Sequence, residues 1–187
     1  QLDEQARLVT IVPRPSEFGT SAPLSLFQEG LWYIDQLEPG SSVYNLPLAL
    51  RLEGRVDEAA WRQALNGILE RHEALRTTFV EVDGVPRQYI AASATLPLTL
   101  VDLSHLPGNE REPAGRALIK QEVQVPFDLA TGPLLKASLV HLSDTVHLFL
   151  INFHHIVADG WSLDIFVKEL AALYRAFVEG RPSPLPG

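Results

Sequence analysis

The chain has no cysteine and no methionine in its 187 residues. Without cysteine, disulfides, thiol nucleophiles and Cys-ligated zinc or iron–sulfur centres are excluded. Long apolar runs are missing too: stretches such as residues 148–151 fall far short of the ~20 residues that cross a bilayer. A soluble, cytoplasmic chain with no membrane partner is the expectation. The chain opens at Gln1 with neither an initiating Met nor a basic start followed by an apolar run, which reads as a segment excised from a longer protein. Positive charge is scarce, with 15 Lys and Arg against 23 Asp and Glu and a net charge of −8. Nucleic-acid affinity comes mostly from clustered Lys and Arg, so no nucleic-acid partner is expected. A glycine-rich phosphate loop and a G-x-S-x-G elbow are also lacking, which leaves phosphate-cofactor chemistry without support.

What the chain does have is apolar content, 46% of its residues. A chain of this length removes about 68–70% of its unfolded surface from water, enough for one core. Residues 1–22, with Pro13 and Pro15 and one short apolar patch, read as a linker or tail, and the folded part is expected over residues 23–187. Ser25 is placed to cap a helix reaching Leu37, and residues 44–52 form a strand that Pro47 assigns to an edge. Asp57 caps a helix whose Trp61, Ala64, Leu65, Ile68 and Leu69 share one face. Asp83-Gly84 joins two strands as a hairpin, residues 96–100 form another strand, and residues 110–125 form a helix with Pro113 in its first turn. Strands at 134–142 and 145–153 are joined at Ser143-Asp144, and a last helix starts at Ser162. This order implies an α/β (α+β) fold, a mixed sheet layered with helices.

The chemistry-bearing segment is FHHIVADGWS, residues 153–162, a loop between an apolar strand and a helix. A loop leaving a strand end holds a reactive side chain rigidly yet within reach. Side chains of adjacent extended residues point opposite ways, so one of His154 and His155 faces a cleft while the other is locked inside. For the same reason the two histidines do not converge on one metal ion, and no further ligand cluster accompanies them. Asp159 either orients a histidine or braces the loop as a buried carboxylate paired with an arginine; the brace is favoured. His72, His105, His141 and His147 read as surface or hydrogen-bonded residues.

Residues 154–162, HHIVADGWS, resemble the His-His-x-x-x-Asp-Gly signature of condensation domains of nonribosomal peptide synthetases, a superfamily related to chloramphenicol acetyltransferase. Three more segments resemble that family in the expected order: PLSLFQEGLWYIDQLEPGSSVYNLP at 23–47, RHEALRTTF at 71–79 and PFDLATGPLLKASL at 126–139. Two positions depart from the pattern: Phe27 stands where a small residue usually precedes Gln28, and Gly30 stands where an arginine is usual.

The resemblance implies an acetyltransferase-like N-terminal lobe, its C-terminal partner lobe absent, so that the chain alone is expected to be inactive. It implies amide formation between a donor thioester and an acceptor aminoacyl thioester, each tethered by 4'-phosphopantetheine to a peptidyl carrier protein, beside an adenylation domain. No cofactor or metal is expected on this lobe. His155 is the implied catalytic residue; His154, Asp159, Gly160 and Arg76 support it, with Arg76 in a motif whose His72 and Glu73 read as solvated. Trp161 and Ser162 are tunnel candidates, and Gly160-Trp161-Ser162 resembles domains that take an L-configured donor. The rival readings are a His-His acyltransferase acting on an alcohol or amine, and a non-catalytic carrier-docking lobe.

Overall fold

The computed structural model describes residues 20–186, so the linker expected over 1–22 falls outside them up to residue 19. The larger sheet has four strands in the order β2-β7-β6-β5: β2 (Asn45–Glu53), β7 (Val146–His154), β6 (Leu135–Ser143) and β5 (Leu98–Asp102). Only β5 runs parallel to its neighbour β6. As expected of a strand carrying Pro47, β2 lies at the edge. A smaller antiparallel sheet holds β1 (Ser21–Pro23), β4 (Val85–Ile90) and β3 (Thr77–Val82) in the order β1-β4-β3. Asp83 and Gly84 join β3 to β4 with φ of 51° and 78°, the two positive values that a two-residue primed turn requires.

Two helices, α2 (Glu58–Arg71) and α4 (Gly160–Val178), cover one face of the larger sheet. Trp61 of α2 stacks edge-on against Phe149 and Tyr174, each with ring centroids 5.0 Å away. The Tyr174 hydroxyl accepts the backbone N–H of Asp57, the residue that caps α2. At the other end of α2, Glu169 of α4 takes Arg71 Nε at 3.1 Å and His72 Nε2 at 2.6 Å. His72 is therefore held in a helix clamp rather than solvated, a partnership that pairs residues 97 positions apart. At the end of the sheet remote from the site, His147 is buried and its ring stacks on His141 at 5.0 Å.

The opposite face of the sheet is covered by α3 (Gly108–Val123). This helix begins two residues before the expected start, with Pro107 at its N-cap, so Pro113 falls past the first turn. It ends early because the Asn45 side-chain amide of β2 donates to the carbonyls of Val123 and Val125 at 2.6 and 2.9 Å. β5 likewise starts at Leu98 rather than residue 96, because the Asn66 side chain of α2 accepts the N–H of Leu96 at 2.9 Å and Pro97 follows. The remaining helix, α1 (Leu26–Leu37), is capped by Ser25, whose hydroxyl accepts the Gln28 N–H while Gln28 accepts the Ser25 N–H. Its Leu31 and Trp32 join a second apolar cluster with Phe79, Phe127, Ile156 and Val157.

Gly115 of α3 is required by packing, since a Cβ there would sit 2.9 Å from Leu148 Cδ1 and 3.3 Å from Leu142 Cδ2. Gly115→Val is expected to destabilise the fold by about 1–3 kcal/mol, read as a lower urea midpoint at unchanged slope. An unchanged midpoint would mean that α3 does not seat on the sheet this closely.

Candidate active site

The strand that delivers the histidines, β7, is buried along nearly its whole length and lies between β2 and β6. That position pins its last residues from both sides. The His154 N–H donates to the Leu134 carbonyl at 2.9 Å, and the His155 N–H donates to the Tyr44 carbonyl at 2.8 Å. The side chains leave in opposite senses: His154 is 3% exposed and His155 is half-buried.

His154 packs among the rings of Tyr44 and Phe127, and its Nδ1 accepts the N–H of Ile156 at 3.1 Å. This bond starts the loop turn and places the hydrogen of the neutral ring on Nε2. Burial, with a smaller contribution from His155, pushes its pKa down from the ordinary 6.5 to about 4. His154 is consequently a neutral structural group at pH 7.

His155 faces α1. Its ring lies 5.6 Å from that of Phe27, inclined at 64°. Its Nδ1 is buried without a hydrogen-bond partner among the described residues, while Nε2 is not sealed from solvent and has no protein partner there. Gln28 ties the first turn of α1 to the loop through Nε2, which donates to the Ile156 carbonyl at 3.4 Å.

Asp159 is the N-cap of α4, which therefore begins at Gly160 instead of Ser162. Its carboxylate accepts the Ser162 N–H at 2.9 Å and the Ser162 hydroxyl at 2.7 Å, and the Ser162 Oγ accepts the Asp159 N–H at 3.2 Å. The side chain is exposed in this lobe, and among the described residues no arginine pairs with it. The Ser162 hydrogen bonds hold its carboxyl below the usual carboxylate range, with His155 adding a lesser electrostatic pull. A Cβ built on Gly160 meets nothing within 4 Å. Trp161 is 82% exposed beside it.

The structure does not bring Arg76 into contact with the histidines. It lies on a 3-10 turn, Glu73–Arg76, where Nη1 donates to the Ala91 carbonyl and Nη2 stands 3.7 Å from Glu73. It thus joins the end of α2 to the end of β4. Phe27, Tyr44 and Glu169 take part without having been singled out as site residues. The Phe27 position was visible only as a departure from a motif, and Tyr44 acts through its carbonyl on His155 and its ring on His154. A cavity of about 120 Å³, lined by His72, Leu75, Ser162 and Phe166 among others, lies behind the loop, and His155 is not part of its wall. Among the described residues no group of three or more His, Asp or Glu is placed to hold a metal, and no helix is long and apolar enough to cross a membrane.

A strand-end histidine with one open ring nitrogen thus stands beside a locked histidine and a capped glycine turn on a mixed sheet. The family described as Condensation domain matches residues 19–187, and the chain belongs to that family. It is 44% identical over 179 residues to a linear gramicidin synthase of Brevibacillus parabrevis, an alignment covering 96% of this chain and 2% of that protein. It is 44% identical over 175 residues to phosphinothricin tripeptide synthetase PhsC of Streptomyces viridochromogenes, covering 94% of this chain and 16% of that one. In structure it resembles the starter condensation domain of rhizomide synthetase RzmA, with a TM-score of 0.83 and 27% identity over 89% of this chain and 40% of that one. The first condensation domain of the calcium-dependent antibiotic synthetase, in complex with a substrate analogue, gives a TM-score of 0.80 at the same identity and coverage. The chain thus spans less than half of these solved condensation domains and a small part of the synthetases.

The loop geometry has two measurable consequences. Asp159→Ala is expected to lower stability by about 1 kcal/mol at pH 7 through loss of the cap, measured by chemical denaturation. Because the folded carboxyl titrates below its unfolded value near 3.8, the contribution is present above that pH and fades as pH falls through the lower folded value. The gap between the two proteins should therefore close in acid. For His154, whose folded pKa is depressed, the unfolded state takes up the proton first, so stability falls as pH drops from about 6.5 toward 4. Imidazole NMR should find His154 still neutral at pH 5; a charged ring there would contradict this placement.

Proposed function

We propose that this chain supplies the histidine-bearing N-terminal lobe of a site that forms peptide bonds between carrier-bound thioesters. The observation that carries the reading is the unsealed Nε2 of His155, held at the end of a strand pinned on both sides. The amine of an acceptor aminoacyl group attacks the carbonyl carbon of a donor thioester. A C–N bond forms, the C–S bond breaks, and the amine proton passes by way of His155 Nε2 to the departing phosphopantetheine thiolate. A ring nitrogen carrying a lone pair can accept a hydrogen bond or the proton from the attacking amine, which suits this exchange.

The surrounding residues divide the supporting work. His154 fixes the turn, Asp159 braces it by capping α4, and Gly160 leaves open the space where tethered substrate passes the backbone. Trp161 presents an exposed indole to the same opening, whereas the hydroxyl of Ser162 is engaged in the cap. Arg76 supports from a distance by fixing the turn after α2. A second lobe supplies the other wall of the tunnel, two peptidyl carrier proteins deliver the 4'-phosphopantetheine arms, and an adjoining adenylation domain activates an amino acid. The Gly160-Trp161-Ser162 continuation supports an L-configured donor. The chain without the second lobe folds but does not condense.

In the synthetase carrying this chain, His155→Ala is expected to slow amide formation by about 10²–10⁴-fold while donor loading persists. Product release and carrier loading, followed separately by mass spectrometry, distinguish the two; near-normal product would overturn the assignment.

A further inference from the structure

We infer that Phe27 is a specificity-determining residue that limits the size of the acceptor side chain, an inference that rests on His155 being the group that meets the acceptor amine. Phe27 occupies the first turn of α1, one helical turn before the buried Leu31. Its ring is 59% exposed and belongs to none of the three apolar clusters, so core packing does not account for an aromatic side chain there. Its described ring contact is with His155, centroid to centroid 5.6 Å at 64°.

The position is rigidly held. The reciprocal Ser25 and Gln28 bonds close the start of α1, and Gln28 also reaches the Ile156 carbonyl one residue past His155. Phe27 therefore moves with the loop that carries the histidine and keeps its ring on one side of the imidazole. An amine hydrogen-bonded to Nε2 has its α-carbon one bond away and its side chain two bonds away. A ring packed on the imidazole is thus within reach of whatever the α-carbon carries. Small acceptor side chains pass it, and bulky ones meet it.

The test uses the synthetase that carries this chain, with its acceptor carrier protein loaded in turn with glycine, alanine, leucine or phenylalanine. Phe27→Ala is expected to raise kcat/KM for leucine and phenylalanine relative to alanine by about tenfold or more, the scale on which apolar pockets discriminate by size. Phe27→Leu should shift the ratio in the same direction by a smaller step, and Phe27→Tyr should keep the native order. Unchanged ratios, a uniform loss for all four acceptors, or a change confined to donor preference would overturn the inference. Should Phe27→Ala fail to fold, the Leu and Tyr variants carry the comparison. His155→Ala in the same assay separates the two claims. If it remains active, the reading of the site fails; if it is inactive while the Phe27 ratios do not move, only the role of Phe27 fails.

Discussion

Everything at the site depends on the two backbone hydrogen bonds that pin the end of β7, from His154 to Leu134 and from His155 to Tyr44. A strand alternates its side chains at every residue, so a one-residue slip would exchange the two histidines between interior and cleft. The apolar pattern forbids that slip. Phe149, Ile151 and Phe153 all lie in the cluster with α2 and α4, and Phe153 meets Phe166 edge-on with centroids 5.4 Å apart. A slip would drive Asn152, now 1% exposed with its amide turned toward the end of α3, into that cluster. An unpaired amide in an apolar core costs several kcal/mol in the harshest reference and about 1–3 kcal/mol by mutation. The register, and with it which histidine is locked inside and which is left half-buried, is set by the apolar side chains of the strand that precedes the loop.

The same alternation separates two histidines that differ by one residue into groups with different chemistry. His154 gives its Nδ1 lone pair to Ile156 and is held neutral by burial. His155 keeps Nε2 free, and its buried Nδ1 meets no carboxylate among the described residues; Asp159 instead receives the Ser162 N–H and hydroxyl on its Oδ1. This is unlike a Ser-His-Asp triad, where a buried aspartate fixes the imidazole tautomer. On the function proposed above, such a site would rely on holding two tethered groups in position more than on a strengthened base, since a thioester is reactive enough for positioning to supply much of the rate.

The fold class and α2 and α4 were legible because their apolar residues recur at helical spacing, and β7 because it is a short continuous apolar run bounded by a turn and a polar loop. The Asp-Gly hairpin was legible because few dipeptides accept two positive φ angles. Less legible were features set by partners distant in sequence. Nothing near residue 123 announces that Asn45 will cap α3, and nothing near residue 72 announces Glu169. The bracing role of Asp159 was legible in outline, but its spacing to Ser162, which makes it the N-cap of α4 through a capping box, went unread. A glycine such as Gly115 weakens a helix taken alone; its role, letting α3 approach Leu148, exists only once the sheet is folded.

The loop also stands at the seam between two packed units. Phe153, Ala158 and Phe166 belong to the cluster of the larger sheet, whereas Ile156 and Val157, lying between them in the chain, belong to the cluster of α1 and the smaller sheet. Two cores therefore grip alternate parts of one short segment. The Phe79 N–H donating to the Leu129 carbonyl at 2.8 Å ties the smaller sheet to the stretch leading into β6, and Gln28 ties α1 to the loop itself. Close-packed interiors transmit displacement because they have few voids to absorb it. The chain also passes between the two clusters from Leu75 to Phe79 and from Leu134 to Leu135, so residues 154–158, a stretch in which His155 alone is half-buried, share any displacement of α1 with those crossings.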